Sequence, residues 1–293
     1  AKAMRNGFNM KLLRGLRQVG FMADKEYVER LYNGKTIVLN SFEQCVADKK
    51  RFGKNFCEIE VLSNMMKCET TLVEPVDDKF VVITPPYERL TTEELDHSFD
   101  LPYERAPHYR YKGKGDIPAW EMIKHSVNIH RGCFGGCSFC TISAHQGKFI
   151  SSRSERSILK EVERITQMED FKGYLSDLGG PSANMYMMKG KNGELCAKCS
   201  RPSCIQPKIC PNMNIDHSAL LELYKKVDAL PCIKKSFIGS GVRYDMLLHR
   251  TGDKQRDEVT DKYTEELIRN HVSGRLKVAP EHTNDAVLKL MRK

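Results

Sequence analysis

Three cysteines of this sequence lie within eight positions of one glycine-rich segment. They are Cys133, Cys137 and Cys140, spaced C-x3-C-x2-C in the stretch RGCFGGCSFC. Thiolates are soft ligands, and each of the four irons of a 4Fe-4S cluster takes one such ligand. Three cysteines would therefore hold a cluster and leave one iron open. Zinc fits less well because it usually closes four ligands, although His130 or His145 could supply the fourth.

An iron without a protein ligand can bind a small molecule that brings its own chemistry. S-adenosylmethionine suits this position, because its amine and carboxylate can chelate iron and one electron can cleave its sulfonium. The glycines at positions 132, 135 and 136 let the backbone wrap closely around a cluster and direct N–H groups at its sulfurs. The cysteine segment therefore predicts a 4Fe-4S cluster with S-adenosylmethionine as cofactor.

Four more cysteines form a second group farther along the chain. Cys196, Cys199, Cys204 and Cys210 have the spacing C-x2-C-x4-C-x5-C. Four thiols so close together in a reducing compartment indicate a metal site. Full thiolate ligation is typical of structural zinc, whereas the Cys-Pro ending favours an auxiliary iron–sulfur cluster. The spacing therefore predicts a second site that holds either an iron–sulfur cluster or zinc.

The composition is that of a globular protein. The chain has 293 residues, 40% of them hydrophobic, a mean hydropathy of -0.49 and a formal net charge of +9. No apolar run approaches the roughly 18 residues of a membrane helix, and the N-terminus lacks the apolar core of a secretory signal. We therefore expect a cytoplasmic protein without membrane contact, whose clustered thiols bind metal. The positive charge would suit RNA as a partner, but it is spread along the chain.

From residue 125 onward, strand-like and helix-like segments alternate four times. The strands are HSVNIH, FKGYLSDLGG, CIKKSFIGSGVR and RLKVAPE, and an amphipathic helix follows each of them, the first with Ser154 as its candidate N-cap. This alternation predicts a parallel α/β sheet or barrel, with its chemistry at the carboxyl ends of the strands. The cysteine segment, the pair Gly179-Gly180 and GSGVR all fall at such ends.

Three regions are expected along the chain. Residues 1–84 predict a mostly helical segment of a preceding domain, with one strand at KFVVI. Residues 85–124 are rich in proline and tyrosine and predict an ordered connector. Residues 125–293 predict the α/β core, with a cysteine-rich insertion at 185–215. Because the chain begins without methionine and stops within an amphipathic helix, we expect it to be a piece of a longer protein.

The first cysteine motif, with Phe139 directly before its last cysteine, resembles the signature of the radical SAM superfamily. The stretches IHRGCFGGCSFCTISAHQGKFISSRS, DLGGPSANMY, CSRPSCIQPKICPN, GSGVRYD and VAPEH are similar to the YgiQ family within it. The resemblance implies a partial (β/α) radical SAM barrel, truncated after about four strand–helix units. It also implies that Cys133, Cys137 and Cys140 hold the cluster. The implied contacts to the cofactor are Phe139, Arg153, Gly179, Gly180, Ser240 and Arg243. Pro181 stands where many relatives have glutamate, which leaves the partner of the cofactor amine open.

The resemblance further implies a reaction class. A radical SAM enzyme reductively cleaves S-adenosylmethionine to a 5'-deoxyadenosyl radical, which abstracts hydrogen from a substrate that this sequence does not identify. Reduced flavodoxin or ferredoxin would donate the electron, and no catalytic residue is assigned. The alternative function is a zinc-ribbon-like basic module that binds RNA. Within the enzyme class, SSRS and APEHTNDAVLKLM are similar to parts of the tRNA methylthiotransferases, which makes such an activity a hypothesis by analogy.

Overall fold

The computed structural model describes residues 10–31 and 35–293, which form two compact units. The first unit comprises the described residues up to Arg89 together with Glu194–Pro202, and the second comprises Leu90–Gly193 and Ser203–Lys293. Parts of the segment predicted at 1–84, namely residues 1–9 and 32–34, lie outside the described residues. Each unit contains a hydrophobic cluster of its own.

The first unit contains a four-stranded sheet. Its strands are β1 (Gly20–Ala23), β2 (Thr36–Val38), β3 (Thr71–Val76) and β4 (Lys79–Ile83), in the order β1-β4-β3-β2. Strand β4 is antiparallel to both neighbours, whereas β2 is parallel to β3. Sequence analysis expected one strand in this segment, KFVVI, which is β4, and the structure adds β1, β2 and β3 to the helices. Strands β1 and β2 have four and three residues, too few to show the alternation that identifies a strand.

Four helical segments accompany this sheet in the described residues up to Arg89. The 3-10 helix Met10–Gly15 is followed by the α-helices Lys25–Leu31, Phe42–Ala47 and Lys49–Ser63. Ser41 and Gln44 form a capping box at the start of the second α-helix, in which each side chain accepts a hydrogen bond from the other residue's backbone N–H. The core of the unit is small, and its buried members are Ala23, Val28, Val73 and Val82.

Parallel strands form the centre of the second unit. The strands are β5 (Ser126–Asn128), β6 (His130–Arg131), β7 (Ser151–Ser152), β8 (Tyr174–Leu175), β9 (Asp177–Gly179), β10 (Lys189–Gly190), β11 (Met213–Asn214) and β12 (Lys235–Ser236). Strand β5 pairs with β9 and β8 with β12, both in parallel, and one parallel bridge joins Val242 to Val278. The other two pairs, β6 with β7 and β10 with β11, are antiparallel. Within the described residues the strands form small sheets and no closed barrel, so the fold is mixed α/β.

Long helices connect the parallel strands, as a crossover requires. Glu155–Thr166 lies between β5 and β8, and Ser218–Asp228 lies between β9 and β12. Residues of both helices and of the strands form the main core, whose fully buried members include Val127, Ile158, Val162, Ile165, Leu175, Leu178, Leu220, Leu223, Tyr224 and Val227. The remaining helical segments are Thr92–Phe99, Tyr109–Tyr111, Pro118–Ile123, Ile142–Gln146, Ala183–Met185, Gly193–Ala197, Tyr244–Leu248, Lys254–Glu266, a π turn at Leu267–His271 and Asp285–Met291.

The start of the helix Glu155–Thr166 is held by polar contacts. Ser154 is its N-cap, as predicted, and the Ser154 hydroxyl accepts a hydrogen bond from the backbone N–H of Ser157. The backbone N–H of Ser154 in turn donates to Asp96 at 2.9 Å, and the Ser157 hydroxyl donates to Asp100 at 2.8 Å. Lys160 donates to the other oxygen of Asp100 at 2.8 Å. Residues of the segment 90–124 therefore fix the first turns of this helix. Among the residues that the structure describes, no helix combines the length and apolar character needed to cross a bilayer.

Two fully buried histidines of the second unit make its stability depend on pH. Burial lowers the pKa of His130 to about 4, and it lowers the pKa of His217 to about 4 against the opposing charge of Asp216. The unfolded chain protonates histidine near pH 6.5, so acid favours the unfolded state. Their contribution is complete above about pH 6.5 and is lost as the pH falls toward 4. At pH 5 we expect each histidine to cost about 2 kcal/mol of unfolding free energy relative to pH 7.5.

Urea unfolding at pH 7.5 and pH 5 measures this effect. In His217→Asn the loss of unfolding free energy between the two pH values should be about 2 kcal/mol smaller than in the wild type. The matched control is His108→Asn, because His108 is exposed. An equal pH dependence in the wild type and the His217 variant would contradict the neutral, buried state of this side chain.

Candidate metal centre

The cysteine segment is a loop between two short paired strands. Strands β6 and β7 pair through His130 with Ser152 and Arg131 with Ser151, and residues 132–150 close the loop between them. The backbone N–H of Cys133 donates to the carbonyl of Gly147 at 3.1 Å, which joins the two ends of the loop. Gly132 has a φ of +91°, and a Cβ there would lie 2.5 Å from the carbonyl oxygen of Phe149. Only glycine permits this close backbone approach.

Two cysteine sulfurs and one guanidinium converge on Gly135. A Cβ at this position would lie 3.3 Å from Cys133 Sγ, 3.8 Å from Cys137 Sγ and 3.0 Å from Arg243 Nη1. The backbone N–H of Cys140 donates to the carbonyl of Cys137 at 3.1 Å, which folds the third cysteine back toward the second. The missing side chain at position 135 therefore provides the space in which the thiols approach each other. This donor set, with its glycine cradle, fits a cluster held by three thiolates.

The surroundings of Cys133 keep its thiol protonated in the absence of a metal. Burial raises the pKa of the Cys133 thiol, and the nearby Cys137 and Cys140 raise it further. The backbone N–H of Gly135 and the positive charge of Arg243 act in the opposite direction. Cys133 is therefore a neutral thiol near pH 7 when no metal is bound, and metal binding would release its proton.

Arg243 is a permanent positive charge beside the loop. Its Nη1 donates to Cys137 Sγ at 3.5 Å, and its Nε donates to Asp245 at 3.1 Å. Burial lowers the pKa of Arg243, but the hydrogen bonds and charge of Asp245 more than compensate and raise it above the ordinary arginine value. The backbone on both sides is fixed by Asn184, which accepts from the Arg243 N–H at 2.8 Å and donates to its carbonyl at 3.0 Å.

The glycine pair at the end of β9 packs closely against Ser240 and His130. A Cβ on Gly179 would lie 2.6 Å from Ser240 Oγ, and a Cβ on Gly180 would lie 2.5 Å from the ring of His130. Asp177 holds the facing segment, because it accepts hydrogen bonds from the Gly239 N–H at 2.8 Å and from the Ser240 hydroxyl. Close packing by itself explains why glycine occupies both positions. A contact of Gly179 and Gly180 with a cofactor stays a prediction.

The remaining predicted cofactor residues differ in their surroundings. Phe139 is 53% exposed, next to the third cysteine. Arg153, in contrast, is fully buried and its guanidinium donates to Asn128, Ser157 and Glu161, which use all of its N–H groups. We therefore leave Arg153 out of the proposed cofactor site, since its contacts are those of a packing residue.

The four cysteines of the second group are divided between the two units. Cys196 and Cys199 belong to the first unit, where the Cys199 N–H donates to the Cys196 carbonyl at 3.1 Å. Cys204 and Cys210 belong to the second unit, where the Cys210 N–H donates to the Cys204 carbonyl at 2.8 Å. The Cys204 N–H donates to the carbonyl of Phe134 at 3.0 Å, so this half of the group packs on the first cysteine loop. A metal site of all four cysteines stays a prediction.

Two residues that shape the site, Asp177 and Asn184, have no role predicted from the sequence, and a third, His130, was considered only as a ligand of zinc. Asp177 and Asn184 hold the GSGVR segment, and His130 packs on Gly180 with neither ring nitrogen hydrogen-bonded. Asp177 had no local signal, because the backbone N–H groups that donate to it lie 62 and 63 residues away. Asn184 had no such signal, because its partner lies 59 residues away.

Comparison with known proteins adds the family. Residues 1–126 match the family model described as "Radical SAM N-terminal". A UPF0313 protein of Bacteroides thetaiotaomicron is 65% identical over 88% of this chain and 41% of its own length. The UPF0313 protein YgiQ of Salmonella typhimurium is 45% identical over 88% of this chain and 34% of its own length. This chain belongs to the radical SAM YgiQ family. The resemblance stated from the sequence is therefore confirmed.

The YgiQ-family chain matches these proteins over part of their length. It spans less than half the length of the two curated relatives given above. The residues 1–126 that match the family model end before the first cysteine motif, so that match concerns the segment in front of the motif. No solved structure matches the chain.

Proposed function

We propose that this YgiQ-family chain carries the cluster-binding and cofactor-binding part of a radical SAM enzyme. The observation that carries the proposal is the convergence of Cys133, Cys137 and Arg243 around Gly135, in a loop that begins shortly after the parallel strand β5. In the proposal Cys133, Cys137 and Cys140 bind a 4Fe-4S cluster, and the parallel strands belong to a partial (β/α) barrel. When bound, the cluster and S-adenosylmethionine supply one-electron cleavage of the sulfonium and a radical that abstracts hydrogen from the substrate.

The protein's own residues position these groups. Arg243 offsets the negative charge of the thiolates, and its bond to Cys137 orients that ligand. Gly179, Gly180 and Ser240 offer backbone and hydroxyl groups at adjoining strand ends, where the cofactor would lie. The exposed Phe139 would place its backbone near the adenine.

A cluster of buried apolar side chains lies against the cysteine loop and shields Cys133 from water. Phe134 and Met185 are buried members of this cluster, and Cys133 packs against the cluster. A closed site matters because a carbon radical would react with hydrogen donors other than the substrate. A reduced flavodoxin or ferredoxin is the proposed electron donor, and the substrate stays open.

Anaerobic reconstitution with iron and sulfide, followed by electron paramagnetic resonance, tests the proposal. We expect the dithionite-reduced protein to show a 4Fe-4S signal that shifts when S-adenosylmethionine is added, because the open iron gains a ligand. A cluster signal that the cofactor leaves unchanged would contradict the open iron. A folded protein that takes up zinc and no iron would favour the RNA-binding module instead.

A further inference from the structure

Three metal-ligating side chains meet beside Ser236, the last residue of β12. Asp228 ends the helix Ser218–Asp228, Glu266 ends the helix Lys254–Glu266, and His271 ends the π turn that follows. One ligand atom from each lies within 4.8 Å of the other two. His271 Nε2 is 3.4 Å from Glu266 Oε1 and 4.0 Å from Asp228 Oδ2. The three residues therefore converge on one point.

The imidazole is the strongest indication of a ligand at this point. His271 is fully buried, and its Nε2 has no hydrogen-bond partner. Its Nδ1 lies 2.7 Å from the carbonyl oxygen of Ser236, which can only accept, so Nδ1 carries the proton. In the neutral ring Nε2 then presents a lone pair toward the two carboxylates. Metal-binding histidines have this arrangement, in which the second nitrogen donates to a backbone carbonyl.

Further hydrogen bonds hold the two carboxylates. The Ser236 hydroxyl donates to Asp228 Oδ1 at 2.6 Å, and the side-chain amide of Asn270 donates to Glu266 Oε1 at 2.8 Å. The other oxygen of Asp228 is the one that faces His271 Nε2. Both acidic side chains are partly exposed, 32% for Asp228 and 28% for Glu266, so an ion could enter from solvent. The hydrogen bonds that would orient the two carboxylate ligands are therefore already present.

The π turn explains how two of the residues come together. Glu266 and His271 are five positions apart, and in a regular α-helix positions i and i+5 point in different directions. The segment Leu267–His271 is a π turn, whose wider i to i+5 geometry brings such positions to the same side. Turns of this kind are rare and are frequently found at functional sites.

We propose that Asp228, Glu266 and His271 bind a divalent first-row transition metal ion, for which Zn²⁺ is the best fit. One imidazole nitrogen and two carboxylate oxygens suit zinc or manganese, whereas calcium and magnesium prefer oxygen ligands alone. Bonds of about 2.1 Å to a tetrahedral ion place ligand atoms about 3.4 Å apart. The distance between His271 and Glu266 already has this value, and the partly exposed Asp228 needs only a small shift.

The ion would have a structural role. It would join the ends of two helices to Ser236 in β12, the strand that leads to Ser240 and Arg243 at the cysteine loop. The site therefore differs from the proposed cluster in place, ligand type and function. It also does not depend on the radical SAM proposal.

Binding of Mn²⁺ tests the proposal, because this hard ion binds thiolates poorly and its free form is visible by electron paramagnetic resonance. We expect the reconstituted wild-type protein to bind one Mn²⁺, and Zn²⁺ in excess over the cysteine sites to displace it. Asp228→Asn and Glu266→Gln should each weaken Mn²⁺ binding at least tenfold. The matched control is Glu265→Gln, because Glu265 is exposed and pairs with Arg269 instead.

The thermal unfolding midpoint provides a second measurement on the same proteins. Saturating Mn²⁺ should raise the midpoint of the wild type and of Glu265→Gln, but not that of the two site variants. Absence of Mn²⁺ binding in the wild type, or equal binding in all four proteins, would overturn the proposal. Either result would leave an ion pair between protonated His271 and the carboxylates as the account of this cluster.

Discussion

Replacement of Cys133, Cys137 and Cys140 with alanine is expected to reduce cleavage of S-adenosylmethionine to the level without protein. The physical reason is that no other cysteine lies in the loop 132–150, so a cluster there would lose every thiolate ligand. The measurement is the yield of 5'-deoxyadenosine from the anaerobically reconstituted protein with dithionite as reductant.

The control for this variant is Cys232→Ala. Cys232 is exposed and lies outside both cysteine groups, so its replacement should leave cleavage unchanged. Iron content should fall in the triple variant and stay constant in the control. Cleavage that persists in the triple variant would contradict the assignment of the cluster to these cysteines.

Gly132→Ala is expected to destabilise the cysteine loop by about 2 to 5 kcal/mol. A left-handed φ costs a residue with a Cβ roughly 1–2 kcal/mol, and forced overpacking costs roughly 1–3 kcal/mol more. Both terms apply, because Gly132 has a φ of +91° and a Cβ there would lie 2.5 Å from the carbonyl oxygen of Phe149. A backbone oxygen cannot move aside as a side chain can. The measurement is the free energy of unfolding in urea, together with iron uptake on reconstitution.

Gly147→Ala separates the two terms. Gly147 belongs to the same loop and has a φ of +88°, but a Cβ there would contact nothing within 4 Å. This variant should therefore cost only the roughly 1–2 kcal/mol of the left-handed backbone. Equal destabilisation by the two variants would show that the contact with Phe149 adds nothing to the cost of Gly132→Ala.

Local features of the chain were readable from the sequence because they depend on spacing alone. The three proposed cluster ligands come from a single loop, so their number and separation are enough to indicate the chemistry. Ser154 was predicted as an N-cap, because a cap bonds to the backbone three residues ahead. Parallel pairing of β5 with β9 followed from the alternation of strands and helices.

Other features were missed for lack of a local signal. Strands β1 and β2 are too short for a period to appear, so a sheet was not expected in the first unit. Arg153 was predicted as a cofactor contact from its place after the loop. Burial against Glu161 and Ser157 depends on a helix that packs over it, which spacing cannot reveal.

By itself, the sequence determined the family, the cysteine motif and the alternation of the parallel strands β5, β9 and β12 with the helices between them, since each rests on residues close together in the chain. Only the tertiary structure decided which distant residues meet. Arg243 reaches Cys137 across 106 positions, and Asp228 joins Glu266 and His271 through the packing of two helix ends on β12. The reason is that local structure follows from neighbouring side chains and backbone geometry, whereas such contacts depend on how crossover helices pack against the strands that they connect.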